Sequence, residues 1–409
     1  MNVIFADPAL MSNLGHNANS CRHIVNEARL RHIPTAVLAY FEVESELCTE
    51  LMANPWFRCN TYAVYDEDPL CGWLSNFDFV ADRTFEDLSR LHGLGRDDLI
   101  FFNTAAPGQL MGMLRWLKSI PVEQRPTLIV EFGLFAGMQP VQTELGTQLA
   151  HSGDPRPVLL RYIVKKLLTP EDRDWLFFAT FDPQSSAIYE TMLNFPVRTL
   201  PLSNRAVTDC RDRTGTRPIT IAFLGHQRES KGYDMVPELV GRLLSLLPDI
   251  RVLVHNGDPE SCLPQQNALK AIAVGDPRLI LDERTADPAL WSQLLEQSDL
   301  VVCPYWRDVF VSTYSALASE AIANAIPLVV PSRTTMANLL QQFGSPGIVY
   351  DDPLPRSGVE FVLQGIMTAV YHFDTLATRA KVASQMWDAL NGPAPLLNTL
   401  LSWHTGRPQ

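Results

Sequence analysis

Five short β-branched and aliphatic runs, at residues 219–224, 251–255, 279–281, 300–304 and 327–330, recur with helix-patterned stretches in every gap between them. That rhythm is the mark of parallel strands joined by crossover helices, hence of βαβ units in a doubly wound sheet. The gap at 234–247 shows why the connections read as helical. Val236, Leu239, Val240, Leu243, Leu244 and Leu247 fall on one face at a 3.6-residue period, with Glu238 and Arg242 on the other. The preceding half has the same alternation, with candidate strands at 3–6, 35–40, 99–103, 127–132, 175–180 and 197–200. Between the halves, SNRAVTDCRDRTGTR at 203–217 is polar, charged and without apolar period, which predicts a linker. A chain of 409 residues is long enough for two separate cores. The expected plan is an α/β domain at 1–203, a linker at 204–217 and a second α/β domain at 218–385. A helical segment at 386–409, broken at Gly392, Pro393 and Pro395, then packs back on the first domain.

Composition narrows the function classes. At 46% hydrophobic and 19% charged residues the chain is an ordinary globular one, not a disordered one. Thirty-three basic against 45 acidic residues leave a net charge of −12, so no field of the whole molecule gathers nucleic acid or anionic lipid. Any anion must be held by a local site. The seven cysteines are odd in number and widely spaced, without CxxC or zinc-type Cys/His pairing, which fits reduced thiols in a cytosol. No run approaches the roughly 18 apolar residues of a membrane span. The opening stretch lacks the layout of a signal peptide, so the expected location is cytoplasmic.

The common single-site motifs are missing: there is no GxxxxGK[ST] loop, HExxH helix, GxSxG elbow or GxGxxG turn. Two constellations remain. In the first, Gly225 ends a strand, Arg228 and Lys231 lie in the turn, and Gly232 opens a helix. A helix N-terminus with unpaired N–H groups beside two cations suits a phosphate or diphosphate; the alternative is a solvated basic turn. In the second, Glu320 sits among Ala316, Leu317, Ala318, Ala321, Ile322 and Ala323. An acid there is costly to bury unless something such as a ligand hydroxyl accepts its company, the alternative being a solvent-facing carboxylate.

These segments resemble the GT-B glycosyltransferases, and among them the retaining glycosyltransferase family 4 type. GHQRESKG at 225–232 is similar to that family's strand, Gly, basic residue and Lys-Gly. SEAIANAIPLVV at 319–330 is similar to its second acid and following turn, and RTADPALWSQLLEQSDLVVCPY at 284–305 to the helix and strand before them. The resemblance implies two Rossmann-like doubly wound domains facing each other across a cleft, the first for acceptor and the second for donor. It implies Arg228 and Lys231 on the donor diphosphate and Glu320 on the nucleotide ribose. His226 stands where the family has a basic residue, with Arg228 offset by two. The first acid of the family's pair falls on Ser312, so Ser312 and Thr313 would be neutral partners for the donor sugar. SNLGHNANS at 12–20 matches in position the family's glycine-bearing loop, with Gly15 allowing close approach and His16 contacting a phosphate or sugar hydroxyl; such a loop also suits plain helix capping.

From its place at the end of a strand, Glu131 would orient an acceptor hydroxyl or act as a base, the alternative being an ordinary strand-end carboxylate in water. His255 reads as a cap or satisfied core residue before it reads as a ligand. The expected activity is hexosyl transfer from a nucleotide-diphosphate sugar to a hydroxyl of a glycan, lipid-linked or protein acceptor, in bacterial surface glycan or glycoconjugate synthesis. The nucleotide sugar is a substrate and no cofactor is expected. No metal is expected either, since Arg228 and Lys231 neutralise the leaving group and no DxD cluster lies in a suitable loop. Partners would not include nucleic acid, and membrane contact would be peripheral at most. A nucleotide-sugar epimerase on the same fold, or a GT-B scaffold that has lost catalysis, are the alternatives; Ser312 favours the scaffold, while Arg228, Lys231 and Glu320 oppose it.

Overall fold

The computed structural model describes residues 1–143, 146–208, 210–352, 356 and 358–406. The chain divides into two compact units, Met1–Ser203 with Pro393–Gln409, and Asn204–Gly392.

In the first unit, strands β1 (Val3–Asp7), β2 (Thr35–Tyr40), β3 (Ala53–Phe57), β4 (Leu99–Phe102), β5 (Thr127–Glu131), β8 (Leu176–Thr180) and β9 (Val197–Thr199) form one sheet in the order β3-β2-β1-β4-β5-β8-β9. Neighbouring strands all pair parallel. Every residue of β1, β4, β5 and β8 is buried, because crossover helices cover both faces of such a sheet. Sequence periodicity does not reveal β3, whose ANPWF carries a proline, as an edge strand tolerates. Nor does it reveal the antiparallel hairpin of β6 (Met138–Thr143) and β7 (Gly146–His151), which follows the stretch read as a loop after Glu131. The helix Pro393–Thr405 belongs to this unit: Leu396 and Leu400 join the cluster of Val3, Phe5, Ile129 and Phe177.

In the second unit, β10 (Ile219–Phe223), β11 (Ile250–His255), β12 (Leu279–Asp282), β13 (Leu300–Val302), β14 (Leu328–Pro331) and β15 (Gly347–Tyr350) lie in the order β12-β11-β10-β13-β14-β15, again all parallel. The edge strand β15, absent from the sequence reading, starts at Gly347. A Cβ there would sit 2.2 Å from the Leu328 carbonyl oxygen, so only glycine lets this strand approach. The expected helix runs over Val236–Leu246 and buries Val236, Leu239, Val240, Leu243 and Leu244 against the sheet. Residues Tyr233–Met235 form a separate short turn before it.

Residues 204–217, expected to link the domains, instead pack on the second unit. Arg213 is only 3% exposed and donates to the carbonyls of Ser298 (2.8 Å) and Asn324 (3.0 Å). Those residues cap the C-termini of the helices Pro288–Gln297 and Ala316–Ala323. A guanidinium placed at two helix C-termini satisfies carbonyls that have no partner within the helix and opposes the negative end of each dipole. The polar composition of this segment thus reflects helix capping. Likewise the helix Phe373–Leu390 runs through the expected boundary at 385, and the break comes at Gly392, in left-handed conformation (φ +94°). Arg213→Ala is expected to destabilise the second unit by about 2 kcal/mol or more, because buried carbonyls lose their donors. A lowered urea midpoint would show this; a segment that merely tethers two domains would leave it unchanged.

Candidate active site

The strand order of the second sheet reverses between β10 and β13, and the crevice at the carboxyl ends of such a pair is where α/β folds take ligands. Two loops meet there. After β10 the chain turns through Gly225 (φ +106°) and a short 3₁₀ turn, Glu229–Lys231, capped by Gly232 in left-handed conformation (φ +68°). A Cβ on Gly232 would fall 2.1 Å from the Pro304 carbonyl oxygen, and Trp306 N–H donates to the Ser230 carbonyl at 2.9 Å. The turn that carries Arg228 and Lys231 is therefore stitched to the loop following β13.

Gly225 is pinned by His255 at the end of β11. Its N–H donates to His255 Nδ1 at 3.3 Å, while Nε2 lies 2.9 Å from the Arg284 carbonyl. These partners require Nδ1 to accept and Nε2 to donate, the neutral tautomer, and burial accordingly pushes the imidazole pKa below its ordinary value. His255 orients the turn, as a satisfied core residue.

Lys231 is partly buried, with Nζ 5.7 Å from the centroid of the Tyr305 ring and 3.6 Å from where a Gly225 Cβ would be. Among the described residues it has no carboxylate partner. Burial lowers its pKa to about 8, and the neighbouring Arg228 cation adds to the shift. Arg228 itself is exposed at the start of the 3₁₀ turn.

Glu320 lies on the helix Ala316–Ala323, whose first turn is capped by the Ser315 hydroxyl accepting from Ala318 N–H. Glu320 is half-buried rather than solvent-facing, and its Oε2 accepts from Trp291 Nε1 at 2.5 Å. Burial raises its pKa to about 7, the Trp291 bond opposing the rise. Trp291 also reaches within 4.0 Å of the Gly225 Cβ position, so it joins Glu320 to the turn that carries Arg228 and Lys231. No sequence signal pointed to Trp291: it sits 29 residues from Glu320, on a different helix.

Ser312 and Thr313 occupy the loop between β13 and that helix. Ser312 is buried, and Thr313 Oγ1 is buried with no hydrogen-bond partner among the described residues. Asp308, on the preceding short helix Arg307–Phe310, has a buried Oδ1 in the same condition. It is an acid close to this loop that sequence spacing did not single out, because the expected register placed the acid position on Ser312.

In the first unit the strand order reverses between β1 and β4. Gly15 precedes the helix His16–Leu30 with φ +83° and ψ −176°, a conformation open essentially to glycine, and nothing lies within 4 Å of where its Cβ would be. His16 begins the helix; its side chain lies outside the described residues. Glu131, at the end of β5, is fully buried, so it is not a strand-end carboxylate in water. Among the described residues no group of three His, Cys, Asp or Glu side chains could hold a metal ion, and no helix is long and apolar enough to cross a membrane.

Residues 187–367, which contain the Lys231 turn, Trp291, Ser312 and Glu320, match the family model described as "Family 4 Glycosyltransferase in conflict systems". Over that stretch the chain is similar to family 4 glycosyltransferases. The fold of the whole chain is shared with trehalose-6-phosphate synthase OtsA (TM-score 0.66, 12% identity, 100% of each chain covered). It is shared with Anabaena HepE in complex with UDP and glucose (0.62, 12%, 99% of this chain and 100% of that one). The sucrose-phosphate synthase of Thermosynechococcus elongatus is similar as well (0.64, 11%, 99% and 98%). No curated protein matches the sequence itself.

Trp291→Phe removes the hydrogen bond that favours the charged form of Glu320. The carboxyl of this variant is expected to titrate above the native value of about 7. Carbon-detected NMR titration of labelled glutamate side chains measures the change.

Proposed function

We propose that this glycosyltransferase transfers a sugar from a nucleoside diphosphate sugar to a hydroxyl acceptor, holding the donor at the switch point of the second unit. The observation that carries the reading is Lys231: a half-buried lysine beside Arg228 with no carboxylate partner among the described residues, on a turn held rigid by Gly232 and His255. A cation kept unpaired in a partly buried site is costly, and a diphosphate is the ligand that offsets the cost. Glu320 is set to accept from ribose hydroxyls, since Oε1 has no protein partner among the described residues. Ser312, Thr313 and Asp308 face the donor sugar, and Gly15 and His16 contact a phosphate or sugar hydroxyl.

In the retaining course, the bond between the anomeric carbon and the diphosphate oxygen breaks as the acceptor oxygen bonds to the same face. The acceptor proton passes to the departing phosphate oxygen, and Arg228 and Lys231 stabilise the charge that grows there. Preorganised donors of this kind are typically worth about 3 kcal/mol each in the transition state. UDP is the first nucleotide to test, because HepE binds UDP on this fold. The first unit supplies the acceptor side, for a glycan, lipid-linked or protein hydroxyl in surface glycan or glycoconjugate synthesis. Ser312, where the family's acid would stand, favours a second reading, a nucleotide-binding protein without transfer.

Calorimetric titration with UDP, GDP, ADP and dTDP is expected to give micromolar binding of one nucleotide, weakened about 10- to 100-fold in Lys231→Ala, the loss of one or two charge-assisted hydrogen bonds. No binding by any of the four would leave the reading without its donor.

The same affinity should depend on pH with a defined sign. With the free-state lysine titrating near 8, the cation is lost as pH rises past that value, so binding should weaken from pH 7 to 9 in the native protein but not in Lys231→Ala. Ser312→Ala should change selectivity between donor sugars more than affinity for the bare nucleotide. Competition assays with two nucleotide sugars measure this, and equal loss for both would displace Ser312 from the sugar.

A further inference from the structure

At the carboxyl ends of the first unit's central strands, two sets of polar side-chain hydrogen bonds are joined through the backbone of the adjacent residues Asn103 and Thr104. Glu131 Oε2, at the end of β5, accepts from both the N–H (3.0 Å) and Oγ1 (3.1 Å) of Thr104, just past β4. Thr104 is held with φ +57°, an uncommon conformation for a β-branched residue. Its neighbour Asn103 donates through Nδ2 to Asp7 Oδ2 at 2.9 Å, at the end of β1. Asp7 also accepts from Asn17 Nδ2, at 3.0 Å on Oδ2 and 3.3 Å on Oδ1, and from Ala9 N–H at 2.9 Å. Asn17 lies in the first turn of the helix that follows Gly15. Four segments of the fold are thus tied at the switch point by side-chain hydrogen bonds that meet at the backbone of Asn103 and Thr104.

We infer that Glu131 is a positioning residue: through Thr104, Asn103 and Asp7 it clasps the first turn of the helix His16–Leu30, and with it the Gly15 loop, to the end of the sheet. This revises its role from a base acting on the acceptor to a group that sets the backbone around the ligand. Its consequence for transfer rests on the reading that the Gly15 loop touches phosphate or sugar; the clasp itself does not. Gly133 supports the assignment from the other side. A Cβ there would lie 3.1 and 3.2 Å from the two Glu131 oxygens and 3.2 Å from Thr104 Oγ1, so the carboxyl is packed to contact where the chain has glycine.

The clasp has a protonation requirement. Asp7 and Glu131 are both buried, and burial, with the Asp7 charge adding, raises the Glu131 pKa to about 8, while the Thr104 bonds oppose the rise. Also near it are Tyr189, whose hydroxyl donates to the Leu134 carbonyl at 2.8 Å, and the paired Asp154 and Arg156 beyond. At neutral pH the Glu131 carboxyl is uncharged and the clasp is closed. Above about pH 8 it becomes a buried anion, a form that the Thr104 bonds favour but that burial and the Asp7 carboxyl, itself raised in pKa, oppose, and that opposition loosens the clasp.

Hydrogen exchange of the full-length protein without nucleotide tests this directly. Protection factors are read for residues 8–20 and 103–106, corrected for intrinsic rates. Glu131→Ala is expected to lose at least tenfold protection in those two segments while β9 and the second unit stay unchanged. Glu131→Gln keeps an acceptor for Thr104 without ionising. It is expected to hold native protection at pH 7 and to abolish the loss that the native protein shows between pH 7 and 9. Gly133→Ala, which has no backbone barrier and crowds the carboxyl by a few tenths of an ångström, should loosen the same segments. Unchanged protection of residues 8–20 in Glu131→Ala, or a loss spread evenly over the first unit, would overturn the inference. If Glu131→Ala does not fold, the pH response of Glu131→Gln and the local effect of Gly133→Ala decide. UDP calorimetry on the same variants reads the donor assignment separately: a local exchange change with no effect on UDP leaves the clasp standing and removes the loop from the nucleotide site.

Discussion

A parallel sheet covered on both faces by helices leaves its strands no room for polar side chains. β1, β4, β5 and β8 in one unit and β10 and β13 in the other are apolar along nearly their whole length, and polar chemistry is driven to the strand ends. Where the order of strands reverses, the crossover helices part and the ends become accessible. In both units the candidate residues collect at that reversal, Asp7, Thr104 and Glu131 in one and Gly225, Lys231 and the Tyr305 loop in the other. The same constraint explains why each collection draws residues from several elements far apart in sequence.

Burial then sets the charges. In the second unit it works against the Lys231 cation and the Glu320 anion at once, bringing both pKa values toward neutrality and leaving the site poised for groups that restore them. His255 resolves the same pressure by remaining neutral, with each nitrogen committed to a backbone partner. In the first unit two acids share one buried region, and burial raises the pKa of both, with the donors around Asp7 opposing the rise there. The two sites therefore solve opposite problems: one keeps a cation available for an anion, while the other removes a charge so that four elements can close.

The amount legible in sequence differs from residue to residue for physical reasons. Short apolar runs bounded by turns identify the central strands of both sheets, because a strand buried on both faces has a composition of its own. The edge strands β3 and β15 escape, since one side of each is free of the requirement, as Pro55 and Gly347 show. The turn at 225–232 and the helix around Glu320 are visible as local patterns. The Trp291 bond, the His255 tie and the link from Asn103 to Asp7 are not, because each joins positions between 29 and 96 residues apart. Arg213 was misplaced for a related reason, since a cation that caps two distant helices looks the same in sequence as one in a solvated linker.

What the sequence determined by itself is the architecture of two doubly wound sheets and the presence of a basic turn and a lone acid at strand ends, since hydrophobic periodicity and glycine placement are local properties. The tertiary structure alone decided which of those polar groups are enclosed and what each one faces. It put Glu320 against Trp291, left Lys231 without a carboxylate partner among the described residues, and placed Glu131 in a buried position near Asp7 rather than in water. Protonation state and hydrogen-bond partner depend on the dielectric and the donors brought together by folding, and those are fixed only when segments distant in the chain are packed against one another.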